Sequence, residues 1–128
     1  NQLLAFFPGE LTMQKIVGFI FYPLVWLMGV GVSELSQASE LMGTKTILNE
    51  FVSYQMLGSQ NLSARSNMIL VYAMCGFANL GSLGLIMGSF GVLIPERRAE
   101  IAKLAPRSLI SGTLATMMTG AIVGICYS

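Results

Sequence analysis

Two groups of polar residues stand out because they lie in apolar surroundings. One is Asn49-Glu50, inside Leu48-Asn49-Glu50-Phe51, and the other is Asn79 with Ser82, inside Cys75-Gly76-Phe77-Ala78-Asn79-Leu80-Gly81-Ser82. A deprotonated carboxylate only accepts hydrogen bonds, an amide donates and accepts, and a hydroxyl does either. Such groups suit the recognition of a polar ligand. They do not suit bond-breaking chemistry here, because the chain has no histidine and no aspartate, and no serine or cysteine has an evident base partner. No catalytic residue and no enzyme activity are therefore expected.

The solvent around these residues is set by composition. Apolar residues make up 54% of the 128, charged residues 10%, and the apolar residues gather into long uncharged runs, which is a membrane composition. A formal charge of +1 leaves no basic surface for nucleic acid, so no nucleic-acid partner is expected. Cys75 and Cys126 lack metal-ligand spacing and read as small buried hydrophobes, with no metal site and no bound cofactor implied. No initiator methionine and no basic-then-apolar leader stand at Asn1, so the start reads as an arbitrary cut.

The elements that must hold the polar groups can be laid out in order. Pro8-Gly9 signals a turn in a short lead-in, and the first transmembrane helix is expected over 11–33, around the uncharged run Ile16 to Ser33. It carries Phe19, Phe21, Tyr22 and Trp26 as lipid-facing or packing residues, and Pro23 predicts a kink. Gly29 to Gly31 ends it, and Ser33 and Ser36 are candidate caps for the next helix.

The stretch 38–62 carries Glu40, Lys45 and Glu50, too much charge for a lipid-facing span. A chain that enters, turns at Asn49-Glu50 and leaves by the same side would have limbs of ~18 Å each, close to half the bilayer. This predicts a re-entrant hairpin whose tip holds a carboxylate at depth. The alternative role for Glu50 is a structural ion pair with Lys45, but five residues apart on one helix the two would face each other poorly.

Asn61 to Arg65 is a polar connection with Ser63 as a helix N-cap, and 66–93 is an uncharged run too polar and glycine-rich at its centre for a smooth helix. A broken transmembrane helix is expected there. Asn79 would lie ~20 Å along it, at the depth of Glu50. Gly84 and Gly88 read as a small-xxx-small packing stripe, with Asn79 and Ser82, three apart, as ligand-binding residues. The charged segment 95–105 reads as a cytoplasmic interfacial helix, and 106–127 as a last transmembrane helix.

If the 95–107 region is cytoplasmic, Arg97, Arg98, Lys103, Arg107 and Lys15 are inside and only Arg65 is outside. The hairpin then opens outward, and the C-terminus of this multi-pass protein of the inner or plasma membrane is external. The fold class expected is all-α integral membrane: transmembrane helices, a re-entrant helical hairpin and a broken transmembrane helix.

Three ordered blocks carry a family resemblance: Gly43-Thr44-Lys45-Thr46-Ile47-Leu48-Asn49-Glu50-Phe51-Val52-Ser53-Tyr54, then Cys75 to Ser82, then Ile94-Pro95-Glu96-Arg97-Arg98 with Ser111-Gly112-Thr113-Leu114-Ala115. From about Leu11 onward the chain resembles the C-terminal part of a concentrative nucleoside transporter, its second inverted repeat. The resemblance implies a homotrimeric symporter of nucleosides driven by sodium or protons, each protomer having a scaffold and a transport domain. It further implies that Glu50 accepts ribose hydroxyls, that Asn79 and Ser82 bond the sugar, and that Phe77 lines the pocket, with Asn49 beside the contact. Gly81 departs from the serine found in many relatives. A cis-diol offers two adjacent O–H donors, which matches an acceptor-only carboxylate. The competing reading is a membrane assembly module, or a truncated fragment, that does not transport by itself.

Overall fold

The structure is a computed structural model that describes residues 13–127, and the expected turn at Pro8-Gly9 and the first two residues of the expected 11–33 helix lie outside that range. The described residues are helical, with no strand among them. Six helices follow one another: α1 (Met13–Leu27), α2 (Leu35–Ile47), α3 (Glu50–Leu57), α4 (Ala64–Met74), α5 (Leu80–Leu93) and α6 (Arg98–Cys126). Short 3-10 turns over Val32–Glu34 and Pro95–Arg97 lead into α2 and α6.

Helix α1 runs through Pro23 and stops at Leu27, short of Ser33. The cause is Gly29, whose φ of +92° lies in the left-handed region that only glycine enters without strain. Neither Ser33 nor Ser36 caps α2: the chain is already turning at Val32, so both serines fall inside helical turns, and Glu34 holds the cap position with no side-chain bond. On α1 Phe21 is buried, whereas Phe19 and Trp26 are exposed.

α1 lies along α2, α2 folds back against α3, and α4 packs on α6, with α5 also against α6. The buried core joins these layers through Val25, Met28, Leu41, Met42, Ile69, Leu70 and Met74. α4 and α6 come together at Gly120, where a Cβ would sit 2.8 Å from the Ile69 carbonyl oxygen and 2.9 Å from the Ala73 Cβ. Only a glycine permits this approach. Among the described residues, nothing outside α5 comes within 4 Å of a Cβ placed at Gly84 or Gly88, expected to be the packing stripe, and α5 has no buried residue. The close-approach glycines within helices are Gly120 and Gly124 on α6 and Gly18 on α1, where a Cβ would sit 2.9 Å from the Ser39 carbonyl oxygen.

The charged segment and the last run are one helix, not a short interfacial helix followed by a separate span. Arg98 to Ala105 is composed of good helix formers, so nothing stops the helix before Pro106, which it carries in its interior. The segment Pro95–Cys126 is the one stretch among the described residues long and apolar enough to cross a membrane, and Lys15–Leu27 and Leu80–Leu93 are shorter apolar helices. Cys75 and Cys126 are free and exposed, not buried: one lies in the break between α4 and α5, the other at the end of α6.

Candidate functional site

The turn between α2 and α3 occupies only Leu48 and Asn49. Asn49 is the N-cap of α3, and its Oδ1 accepts from the Val52 N–H at 3.0 Å. Its amide oxygen is therefore taken by the backbone, and Glu50 is the first residue of α3. A carboxylate in the first helical turn is stabilised by the positive end of the helix dipole.

The same construction occurs at the second polar group. α4 ends at Met74, the chain runs irregularly through Cys75 to Asn79, and α5 begins at Leu80. Asn79 caps α5, its Oδ1 accepting from the Ser82 N–H at 2.8 Å. With one end of the amide committed, the other is free to donate, and Asn79 Nδ2 donates to Glu50 Oε2 at 3.3 Å. Two helix N-termini, each with its own asparagine cap, thus converge on one carboxylate. Such half-helix N-termini are suited to negative or electron-rich ligand groups.

Of the five residues singled out, the structure brings Glu50 to Asn79, and Ser82 joins Asn79 through its backbone N–H in the first turn of α5. Asn79 is 4% exposed, while Glu50 and Ser82 are partly accessible. Phe77, in the break, is 78% exposed and lines a cavity of about 290 Å³ with Asn79, Ser82, Ser108 and Gly112. Asn49 points its oxygen into α3, as the local capping rule requires. No Lys45–Glu50 ion pair forms: the one salt bridge among the described residues is Arg97–Glu100 on the exposed face of α6. Lys45 is fully buried instead, and its Nζ has no hydrogen-bond partner.

Several positioning contacts were not foreseen from spacing. Ser53 Oγ donates to the Leu41 carbonyl at 2.9 Å and ties the hairpin limbs together. Tyr54 Oη donates to the Val71 carbonyl at 2.7 Å, fastening α3 to the last turn of α4 just before the break. At the opposite end Glu34 accepts from the Ser63 N–H and from the Ser63 and Ser66 hydroxyls, and Arg65 donates to the carbonyls of Gly29 and Gly124. The Ser66 hydroxyl bond, followed by the Ser63 backbone N–H, holds the Glu34 carboxyl below its usual range. Among the described residues no cluster of three or more His, Cys, Asp or Glu side chains is gathered to hold a metal.

Comparison with known proteins shows the family. A family model described as "Na+ dependent nucleoside transporter C-terminus" matches residues 1–124. The chain is 40% identical over 116 residues to the uncharacterized transporter YutK of Bacillus subtilis, covering 89% of this chain and 29% of that protein. It is 38% identical to human solute carrier family 28 member 3, covering 93% of this chain and 20% of that protein, and 33% identical to the rat sodium/nucleoside cotransporter 1, covering 91% and 21%. Among solved structures, a CNTnw variant in an outward-facing state superposes with a TM-score of 0.88 at 34% identity, over 98% of this chain and 33% of that one. CNTnw in an inward-facing substrate-bound state superposes with a TM-score of 0.84 at 36% identity, over 97% and 31%. The chain thus spans between a fifth and a third of the length of these relatives, none of which is named as an enzyme. With a family match over almost its whole length, the chain belongs to the Na+-dependent nucleoside transporters and corresponds to their C-terminal region.

Proposed function

We propose that this chain supplies the ribose-binding half of an ion-coupled nucleoside transporter. The observation that carries the reading is the 3.3 Å contact between Asn79 and Glu50, which gathers two capped helix N-termini around a carboxylate with lone pairs to spare. Glu50 would accept the two hydroxyls of the ribose diol, Asn79 and Ser82 would bond the sugar, and Phe77 would cover it from the rim of the adjoining cavity. Asn49 contributes by capping α3 and holding Glu50 in place.

In the membrane, α2 and α3 would form a re-entrant hairpin with its tip at Leu48-Asn49, α4 and α5 a broken transmembrane helix, and α1 and α6 the flanking spans. Support comes from the exposed apolar surfaces of α1, α5 and α6, which carry Phe19, Leu85, Val92 and Ile125 outward. Non-helical backbone at depth is tolerated where protein or a watery cavity covers it, as at these two breaks. The basic residues Arg97, Arg98, Lys103 and Arg107 favour a cytoplasmic start of α6 and an external C-terminus. Sodium is the coupling ion that the family description favours over a proton, and the base-reading part of the site and the homotrimer belong to the complete transporter. This chain by itself would bind no whole nucleoside and transport nothing.

The test is Glu50→Gln in the complete transporter, which is expected to cripple uptake of uridine while the protein reaches the membrane. Undiminished uptake by that variant would sink the reading.

A further inference from the structure

α3 bridges the break between α4 and α5, and it is held at both edges of that break by side chains one helical turn apart. At the far edge Asn79, the N-cap of α5, donates to Glu50 Oε2 at 3.3 Å. At the near edge the Tyr54 hydroxyl donates to the Val71 carbonyl, in the last turn of α4, at 2.7 Å. Glu50 and Tyr54 are four residues apart and so share one face of α3.

The Val71 carbonyl is open to that bond because of the break itself. In an unbroken helix it would accept from the Cys75 N–H, four residues on. Here the Cys75 N–H donates to the Tyr72 carbonyl at 3.3 Å, and the Gly76 N–H turns back to the Met74 carbonyl at 2.8 Å. A carbonyl released in this way needs another donor wherever water is scarce, and the Tyr54 hydroxyl supplies it. One bond therefore satisfies the end of α4 and fixes where α3 lies beside it.

The residue before Tyr54 does the same toward the other limb of the hairpin. Ser53, at 0% exposure, donates to the Leu41 carbonyl on α2 at 2.9 Å. Hydroxyls on helices commonly turn back to their own helix, as Thr44 does to the Glu40 carbonyl and Thr46 to that of Met42. Ser53 and Tyr54 instead reach outward, one to each neighbouring helix. α3 has only eight residues, too few for a helix to hold itself, so its placement depends on such attachments. We propose that Ser53 and Tyr54 are positioning residues for the carboxylate: their hydroxyls clamp α3 between α2 and α4 and so set Glu50 against Asn79 in the geometry that a ribose diol meets. The inference rests on the reading of Glu50 as a ribose ligand.

The experiment measures uptake of uridine and of 2′,3′-dideoxyuridine by the complete transporter carrying Tyr54→Phe, Ser53→Ala or Glu50→Gln, per transporter in the membrane, with ligand-free melting of the purified proteins. Phe keeps the ring that packs against the core and removes only the hydroxyl. A purely structural role predicts a lower melting temperature with the parent's preference for uridine over the dideoxy analogue intact. The positioning role predicts that Tyr54→Phe raises the KM for uridine by about fivefold or more, with maximal rate less affected. The KM for the analogue should rise by less than about twofold, because it has no diol for Glu50 to meet. Ser53→Ala should narrow the preference in the same direction. A preference kept by Tyr54→Phe but lost by Glu50→Gln overturns the positioning role and leaves the ribose reading standing. Normal uptake by Glu50→Gln, with its preference intact, sinks the ribose reading and the proposal with it. Should Tyr54→Phe fail to reach the membrane, Ser53→Ala decides in the same manner: a narrowed preference supports the clamp and a parental one overturns it.

Discussion

Asn79 donates to Glu50 across 3.3 Å through one end of its amide, while the other end caps α5 at the Ser82 N–H. One side chain therefore performs two tasks that substitutions can separate. Asn79→Ser keeps a capping oxygen and loses the donor to Glu50, whereas Asn79→Ala loses both. We expect Asn79→Ser to weaken uridine uptake while costing little in melting temperature. Asn79→Ala should cost a further ~1 kcal/mol of stability for the lost cap. Asn79→Asp also caps, but it sets a second carboxylate beside Glu50 and should lower affinity more than Asn79→Ser does. Uptake kinetics and thermal melts of the three variants check the order.

Glu34 gives the connection between α1 and α4 a dependence on pH. Its carboxyl is held below the usual range by the Ser66 hydroxyl, then by the Ser63 backbone N–H. A depressed folded-state value means that its contribution is fully present above the unfolded carboxylate pKa of about 4.3 and is lost as pH falls through the lower folded value. Melting temperature followed downward from neutral pH should show this acid limb in the parent and a weaker one in Glu34→Gln. Coincident acid limbs would remove Glu34 from the account.

Helix contacts in α6 give a prediction of opposite sign at two glycines. A Cβ at Gly120 would meet the Ile69 carbonyl and the Ala73 side chain below 3.0 Å, while one at Gly84 meets nothing within 4 Å. Gly120→Ala is expected to force α4 and α6 apart and destabilise by about 1–3 kcal/mol. Gly84→Ala, in the interior of α5, should not destabilise this chain and should favour its helix by about 1 kcal/mol. Melting the two variants side by side decides it.

Both helix breaks were legible in the sequence, because a carboxylate at Glu50 and the Cys75 to Ser82 cluster are local anomalies in apolar runs, and local anomalies need no partner to be read. What spacing could not supply was which distant groups meet. Tyr54 reaches Val71 and Arg65 reaches Gly124 through tertiary packing alone. The burial of Lys45 was hidden for the same reason, since a lysine next to a turn usually reads as solvated. The stop expected near Pro106 was absent because a single proline among strong helix formers was outweighed by its neighbours.

Phe77 offers the cleanest separation of binding from stability. At 78% exposed it makes little packing within this chain, yet it sits two residues from Asn79 on the rim of the same cavity. A large aromatic left uncovered beside converging hydrogen-bonding groups is a site where a ligand, not the core, gains from its surface. Phe77→Ala should therefore leave the melting temperature of the ligand-free transporter near that of the parent and raise the KM for uridine. The added ligand should also stabilise the variant less, because stabilisation follows the ratio of ligand concentration to its dissociation constant. A large drop in ligand-free melting temperature would instead assign Phe77 to a packing surface against the rest of the transporter.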